Sequence, residues 1–417
     1  MLFSTVFAMY SPPPYSTKPT APPMMSQPRQ FALQFQKKSS NELYKFNPEY
    51  TPPQFQTKVL KQRFRNRLQV LVKAVNENHL HSFYSEQMII DVASRLMSVS
   101  FKNIQKKLGL RSKADAYRLA PLALYDIHVL PDNSGSMNHG DSRMRNLKYA
   151  MKNLFYLSSQ FDEDGADYHW LHCTDSHRGI CKNVKTSKEF DAMMRVEYNG
   201  GTPTAEILRD HIIAPIFDGF EILKKPVLVY IITDGSPVFD NDIVLGQIQV
   251  DKVLMDAFAL KDSRNLVQNA IEYTFIQVGN DDKATDWLQT IDDMPILKDN
   301  IDCVSDYEVE RRQTGVNEFK MTLGDWFLKL AIGAIDDSMD RTDTKQLTVN
   351  EKQNLVLKTQ QVAEYLLYFR TVKQQIVKLF VVSDVQTFEH VFYTFIASHM
   401  YLTYGQWSTT QEAVYRQ

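Results

Sequence analysis

The sequence predicts an α/β fold: a doubly wound, mostly parallel sheet, with an N-terminal helical segment before it and a C-terminal helical extension after it. Three observations carry the prediction. Apolar runs of strand length recur across residues 121–340, at YDIHVL, DYHWLHC, PVLVYIIT and EYTFIQV. The segments between them, MRNLKYAMKNLFYLSSQF, TAEILRDHIIAPIFDGF and KATDWLQTI, repeat their apolar residues at the spacing of a helix. Such alternation of strand and helix argues for a parallel sheet covered on both faces. Polar loops then follow two of the strands, PDNSGSM after YDIHVL and TDGSP after PVLVYII. Open sheets of this kind bind ligands beyond the carboxyl ends of their strands, where strand order reverses.

Taken in order, residues 1–50 form a Pro-rich tail. Ten of the seventeen prolines fall within the first 53 residues, amid Ser, Gln and Thr. That composition buries too little apolar area to offset the entropy of ordering, so disorder is expected. Within it PPPY, at Pro12 to Tyr15, has the form of a ligand for a WW-type reader of polyproline. Residues 51–120 read as a helical leader: Leu60, Phe64, Leu68, Leu71 and Val75 form a stripe, with Arg63, Arg65 and Arg67 among the polar positions. A second helix is expected at about 85–98. The stretch FKNIQKKLGLRSKADAYRL then has the outline of a helix-turn-helix with Gly109 at its turn. Its last helix runs almost directly into YDIHVL, which favours packing on the sheet over a free recognition helix. Residues 121–343 hold the alternating α/β domain. Residues 344–417 form the helical extension, with Leu355, Val362, Leu366, Phe369, Val372, Ile376 and Leu379 along one face.

Composition excludes several classes. At 417 residues, 43% hydrophobic and 23% charged, the chain has the balance of an ordinary globular protein, and no run nears the roughly 18 apolar residues of a membrane span. The opening MLFSTVFAMYSPPPY lacks the basic start of a secretion signal. Cys173, Cys181 and Cys303 are too few for a disulfide framework, and there is no Asn-x-Ser/Thr acceptor. An intracellular protein, cytoplasmic or nuclear, is therefore expected. The net charge of −2 is uneven: residues 1–76 carry eleven Lys and Arg against Glu42 and Glu49, which is +9 and leaves −11 for the remainder. A basic arm before an acidic body reads first as a solvated tail and second as a contact for nucleic acid or an anionic surface.

In PDNSGSM three oxygen-bearing side chains alternate at Asp132, Ser134 and Ser136, and two further polar loops follow, GGTPTAEI at 200–207 and ITDGSP at 232–237. The order DxSxS, GGT, TDG resembles the von Willebrand factor A domain, a Rossmann-like fold whose metal-ion-dependent adhesion site draws on three such loops. Carried over position by position, the resemblance implies Asp132, Ser134, Ser136, Thr202 and Asp234 as the metal site, with Thr204 the nearest substitute for Thr202. LALYDIHVLPDNSGSM, KKPVLVYIITDGSP, the segment around IDCVSDYEVE and WFLKLAIGAIDDSMD are similar to blocks of a fungal group within that family. Asn133 stands where that group often has a second Asp; the alternation turns it away from the ion. WFLKLAIGAIDDSMD, residues 326–340, corresponds to the helix that shifts in the wider family when the metal gains its external ligand.

The donor chemistry agrees with a hard divalent ion, Mg²⁺ or Mn²⁺. Mg²⁺ takes six oxygens at about 2.0–2.1 Å and keeps waters readily. The hydroxyls of Ser134, Ser136 and Thr202 are short neutral donors, while Asp132 and Asp234 act mainly through bound water. Two carboxylates balance the ion's charge and leave it able to attract an acidic side chain of a protein partner.

No enzyme is expected. NSGSM is not G-x-S-x-G, and no His is placed by sequence as its base. HWLHCTDSHRGIC carries zinc-ligand types at His169, His172, Cys173, His177 and Cys181. Its spacing fits none of the usual structural zinc patterns, and His169 and His172 should project to opposite faces of a strand, so a partly exposed hairpin is expected. Two functions remain: a divalent-metal-dependent module binding a partner's Asp or Glu, or a nucleic-acid-associated factor that uses the basic leader and recruits proteins through the α/β domain.

Overall fold

Four capped helices precede the sheet in the computed structural model, which describes residues 50–339 except 140, 173–179, 219–222, 236, 239–241, 295–296, 298–299, 315–320 and 337. Pro12 to Tyr15 and the extension 344–417 lie outside the described residues. Helices α1 (Lys58–Glu77), α2 (Glu86–Arg95), α3 (Phe101–Leu108) and α4 (Lys113–Arg118) each begin after a Ser or Thr whose side chain accepts a first-turn N–H. The α1 stripe buries Phe64, Leu68, Leu71 and Val75, as its spacing predicts. Arg67 departs from expectation: it is 1% exposed instead of solvated. Its guanidinium donates to the carbonyls of Leu96 and Val99 and lies over the Phe101 ring, so it ends one helix turn and ties three helices together.

Six strands form one sheet in the order β3-β2-β1-β4-β5-β6. These are β1 (Asp126–Pro131), β2 (Ala166–His169), β3 (Ile180–Val184), β4 (Val227–Thr233), β5 (Ile271–Gln277) and β6 (Ile301–Val304). All neighbours run parallel except β3, which returns antiparallel beside β2. The central runs predicted as fully covered strands are so: every residue of β4 and β5 is buried. Strand order reverses between β1 and β4, so the loops after those two strands share the crevice where open sheets take ligands.

The remaining helices are α5 (Asp141–Phe161), α6 (Ser187–Met193), α7 (Thr204–Ile207), α8 (Ala214–Asp218), α9 (Ile243–Ser263), α10 (Asp282–Asp292), α11 (Tyr307–Thr314) and α12 (Leu323–Ile332), and a π-helical turn, Leu208–Ile213, joins α7 to α8. Alternate residues of the strands feed opposite faces. Tyr230 of β4 donates to the Ala331 carbonyl on α12, and Tyr149 of α5 packs on Trp326 and Phe327 of the same helix. On the other face Tyr273 meets Phe258 of α9, and Phe275 meets Trp287 of α10. The sheet is thus wound on both sides.

Two elements escape a search for clean periodicity. Apolar residues of α9 appear on more than one face, with Ile243, Val244 and Leu260 exposed while Val250, Leu254 and Phe258 are buried. The edge strand β6 is only four residues long and contains Asp302.

The helix-turn-helix outline is real, but its turn is covered. Gly109 adopts φ +67° to end α3, and Gly324 of α12 lies so close that a Cβ there would meet the Gly109 carbonyl oxygen at 2.3 Å. Arg111 pairs with Asp325 at 2.6 Å and Arg118 with Asp336 at 2.9 Å. The segment packs on the domain, as its short link to β1 predicts. Among the described residues no helix is long and apolar enough to cross a membrane.

Candidate functional site

The PDNSGSM loop leaves β1 at the reversal point. Asp132 is fully buried; one carboxylate oxygen accepts from the Ser134 N–H at 2.7 Å, the other from the Thr233 hydroxyl at 2.8 Å. Ser134 Oγ lies 2.9 Å from Ser136 Oγ, and Ser136 Oγ donates to Asp234 Oδ1 at 2.9 Å. Four of the five predicted residues therefore form one continuous polar chain. Thr202 is buried, but among the described residues no hydrogen bond puts it on that chain; its backbone carbonyl accepts from Val238 N at 3.3 Å. Thr204 is buried beside it, donating its N–H to the same carbonyl at 2.8 Å.

Backbone hydrogen bonds stitch the three loops together. Gly135 N donates to the Gly200 carbonyl at 3.1 Å, and Asn199 N donates to the Asn133 carbonyl at 2.9 Å. Gly200 has φ +72°, and a Cβ there would come within 2.5 Å of the His172 ring. Only glycine fits both the conformation and the space. The Asn133 side chain turns away from the polar chain, as the alternation predicts. It accepts from His172 N at 2.7 Å and donates to the carbonyls of His172 and Glu197 at 2.5 and 3.0 Å. Asn133 thus clamps the neighbouring loops from behind.

Asp132 carries an electrostatic cost in this site. Burial, and then the nearby Asp234 carboxylate, push Asp132 up to about 6. Among the described residues no cationic side chain pairs with Asp132. A divalent ion between the two carboxylates would relieve that cost. The spacing also suits one: oxygens about 2.0–2.1 Å from an octahedral ion lie about 2.9 Å apart along each edge. The Ser134–Ser136 separation, between two of the proposed direct ligands, is 2.9 Å.

Sequence reasoning missed Arg143. This residue of α5 donates to Asp234 Oδ2 at 2.5 Å and to the Ser136 carbonyl at 3.2 Å. Its stem rests against Gly279, where a Cβ would sit 3.0 Å from Arg143 Cγ. The signal was weak, since one of several basic residues on a helix carries no mark of its position.

A second group was missed as well. His128, Asp167 and His169 place one ligand atom each within 4.8 Å of one another, an arrangement able to hold a metal ion. The legible signal was a repeated triplet, Asp126-Ile127-His128 and Asp167-Tyr168-His169, on adjoining strands. The β2–β3 pair forms the expected hairpin, and His169 faces His128 instead of His172. Cys173 and His177 lie outside the described residues.

No protein-family model matches the chain, and a search of the curated proteins finds no match either.

Proposed function

We propose that this chain is a protein-interaction module of the von Willebrand factor A type, which captures an acidic side chain of a partner through a divalent ion at the reversal point of its sheet. Ser134, Ser136 and Thr202 would hold Mg²⁺ or Mn²⁺ with their hydroxyls, and Asp132 and Asp234 would balance its charge. When bound, the ion supplies an electrophilic position for a carboxylate. The chain's own part is to fix the oxygens and exclude competing donors.

The observation that carries the reading is the chain of contacts from Asp132 through Ser134 and Ser136 to Asp234, built from loops 98 residues apart in sequence at its last link. Its donors are hydroxyls and carboxylates, suited to a hard cation and short of a base for hydrolysis. The nucleic-acid reading loses ground, because Arg67 of the basic leader is buried and Arg111 and Arg118 of its helix-turn-helix outline are paired with Asp325 and Asp336.

Calorimetric titration with Mg²⁺ and Mn²⁺, followed by an array of short peptides each bearing one Asp or Glu, tests the proposal. Metal uptake and metal-dependent peptide capture, both lost in Asp132→Ala and in EDTA, are expected. Peptide capture indifferent to EDTA would overturn it.

A further inference from the structure

On β1, β2 and the π-helical turn, three imidazoles adjoin one another. The register sets His128 of β1 opposite Asp167 of β2, and the two-residue period puts His169 on the same face. His128 Nδ1 lies 3.2 Å from His169 Nε2, with the rings stacked at 5.4 Å. His211, on the π-helical turn, brings its ring centroid 5.9 Å from that of His169. His169 is 2% exposed, and the Nδ1 atoms of both His169 and His211 are buried with no hydrogen-bond partner.

Buried imidazoles normally satisfy their nitrogens on backbone or carboxylate. The nitrogens that face one another are His128 Nδ1 and His169 Nε2, and such a pair shares either one proton or one metal ion. π-Helical turns also concentrate at functional sites. The geometry is right for one kind of ion. Nitrogens about 2.0–2.1 Å from a tetrahedral centre lie about 3.3 Å apart, against the 3.2 Å between His128 and His169. Asp126 Oδ2, 3.8 Å from His128 Nε2, favours the proton on that nitrogen and frees Nδ1. Asp167 uses Oδ1 to accept from Asn183 N at 2.7 Å, which holds the carboxylate and leaves its other oxygen for an ion.

We infer that His128, Asp167 and His169 form a second metal site, specific for a borderline ion of the zinc class and distinct from the strand-end loops. Two imidazoles and one carboxylate suit Zn²⁺ and suit Mg²⁺ poorly, so softness of the donors separates the two sites. By tying β2 to β1 the ion would staple the edge of the sheet that carries the His172 backbone clamped by Asn133.

The test is Zn²⁺ titration of the full chain, stripped with EDTA and returned to buffer holding excess Mg²⁺ so that hard-oxygen sites are filled. Uptake of one Zn²⁺ is expected, weakened at least about tenfold in His128→Asn and in Asp167→Asn. Those positions are partly exposed, and Asn at 167 keeps the acceptor for Asn183, so cooperative urea unfolding should be preserved. A Co²⁺-loaded sample should show visible bands of a tetrahedral nitrogen and oxygen site that vanish in His128→Asn. Absence of Zn²⁺ uptake, or uptake unchanged in both variants, overturns the inference. So does uptake lost in Cys173→Ser or His177→Ala but kept in His128→Asn, which would put the ion in the hairpin.

Discussion

Arg143 and Ser136 share the Asp234 carboxylate, the guanidinium on one oxygen at 2.5 Å and the hydroxyl on the other at 2.9 Å. A fixed positive charge therefore stands beside the proposed ion and weakens the field that Asp234 offers it. With both Arg143 and Asp234 largely shielded from water, screening is slight. Arg143→Met keeps the packing on Gly279 and removes the charge. The variant should bind Mg²⁺ about tenfold more tightly, or about 1.4 kcal/mol. Calorimetry reads this directly, and weaker binding would mean that Arg143 serves mainly to orient Asp234.

Asp132 makes the opposite contribution. Its pKa of about 6, raised by burial and by Asp234, lies above the unfolded carboxylate value, so the ion-free fold loses stability as pH rises through about 6. Asp132→Asn removes that loss and keeps an acceptor for Ser134 N. At pH 8 and without metal the variant should be at least as stable as the parent. Added Mg²⁺ should stabilise the parent by about 2.7 kcal/mol at a hundred times its dissociation constant and leave the variant unmoved. Thermal melts with and without Mg²⁺ decide it.

Asn133 is predicted to matter for folding and not for metal choice. Its amide satisfies one N–H and two carbonyls of the loops containing His172 and Glu197. Asn133→Ala leaves those groups bare, at a cost of about 2–4 kcal/mol. Asn133→Asp should be no better, because a carboxylate would face the two carbonyls. Urea denaturation of both variants gives the numbers, and a tolerated Asp would show that the clamp is weak.

What the sequence disclosed, and what it concealed, follows from how far each signal reaches. The central strands were legible because β4 and β5 are apolar throughout, a property of contiguous residues. The polar chain was legible because each loop carries its own Ser, Asp or Gly signature. Arg143 and the His128–His169 pair were not. Their meaning arises only when β1 lies beside β2 and when the start of α5 folds over Asp234. Arg67 fails for a related reason: on α1 it sits at a polar position, and only the carbonyls ending the next helix turn it inward.

Gly324 tests whether the covered helix-turn-helix is part of the fold. A methyl group there would press on the Gly109 carbonyl at 2.3 Å and on that of Leu108 at 2.9 Å. Neither backbone can give way easily, because Gly109 is fixed as the cap of α3. Gly324→Ala should cost about 3 kcal/mol. Gly201→Ala, with no neighbour within 4 Å, should change stability by less than about 0.5 kcal/mol. Equal melting curves for the two variants would mean that α12 does not hold the leader in place.

Asp251 supplies a pH dependence away from both sites. It lies on α9 against α10, where the Trp287 indole N–H donates to it at 3.4 Å. Burial pushes its pKa up to about 7, and that single hydrogen bond offsets little of the shift. An acid whose folded pKa exceeds the unfolded value near 4 binds more protons folded than unfolded. Its protonated form stabilises the fold fully below pH 4, and that contribution is lost as pH climbs to 7. Asp251→Asn keeps an acceptor for Trp287 and cannot ionise. The variant should therefore exceed the parent by about 1–2 kcal/mol at pH 8, discounted from the full shift for partial exposure. The advantage should shrink to a few tenths at pH 5. Urea midpoints at the two pH values measure the difference, and a constant gap would mean that Asp251 is ionised in the folded state throughout.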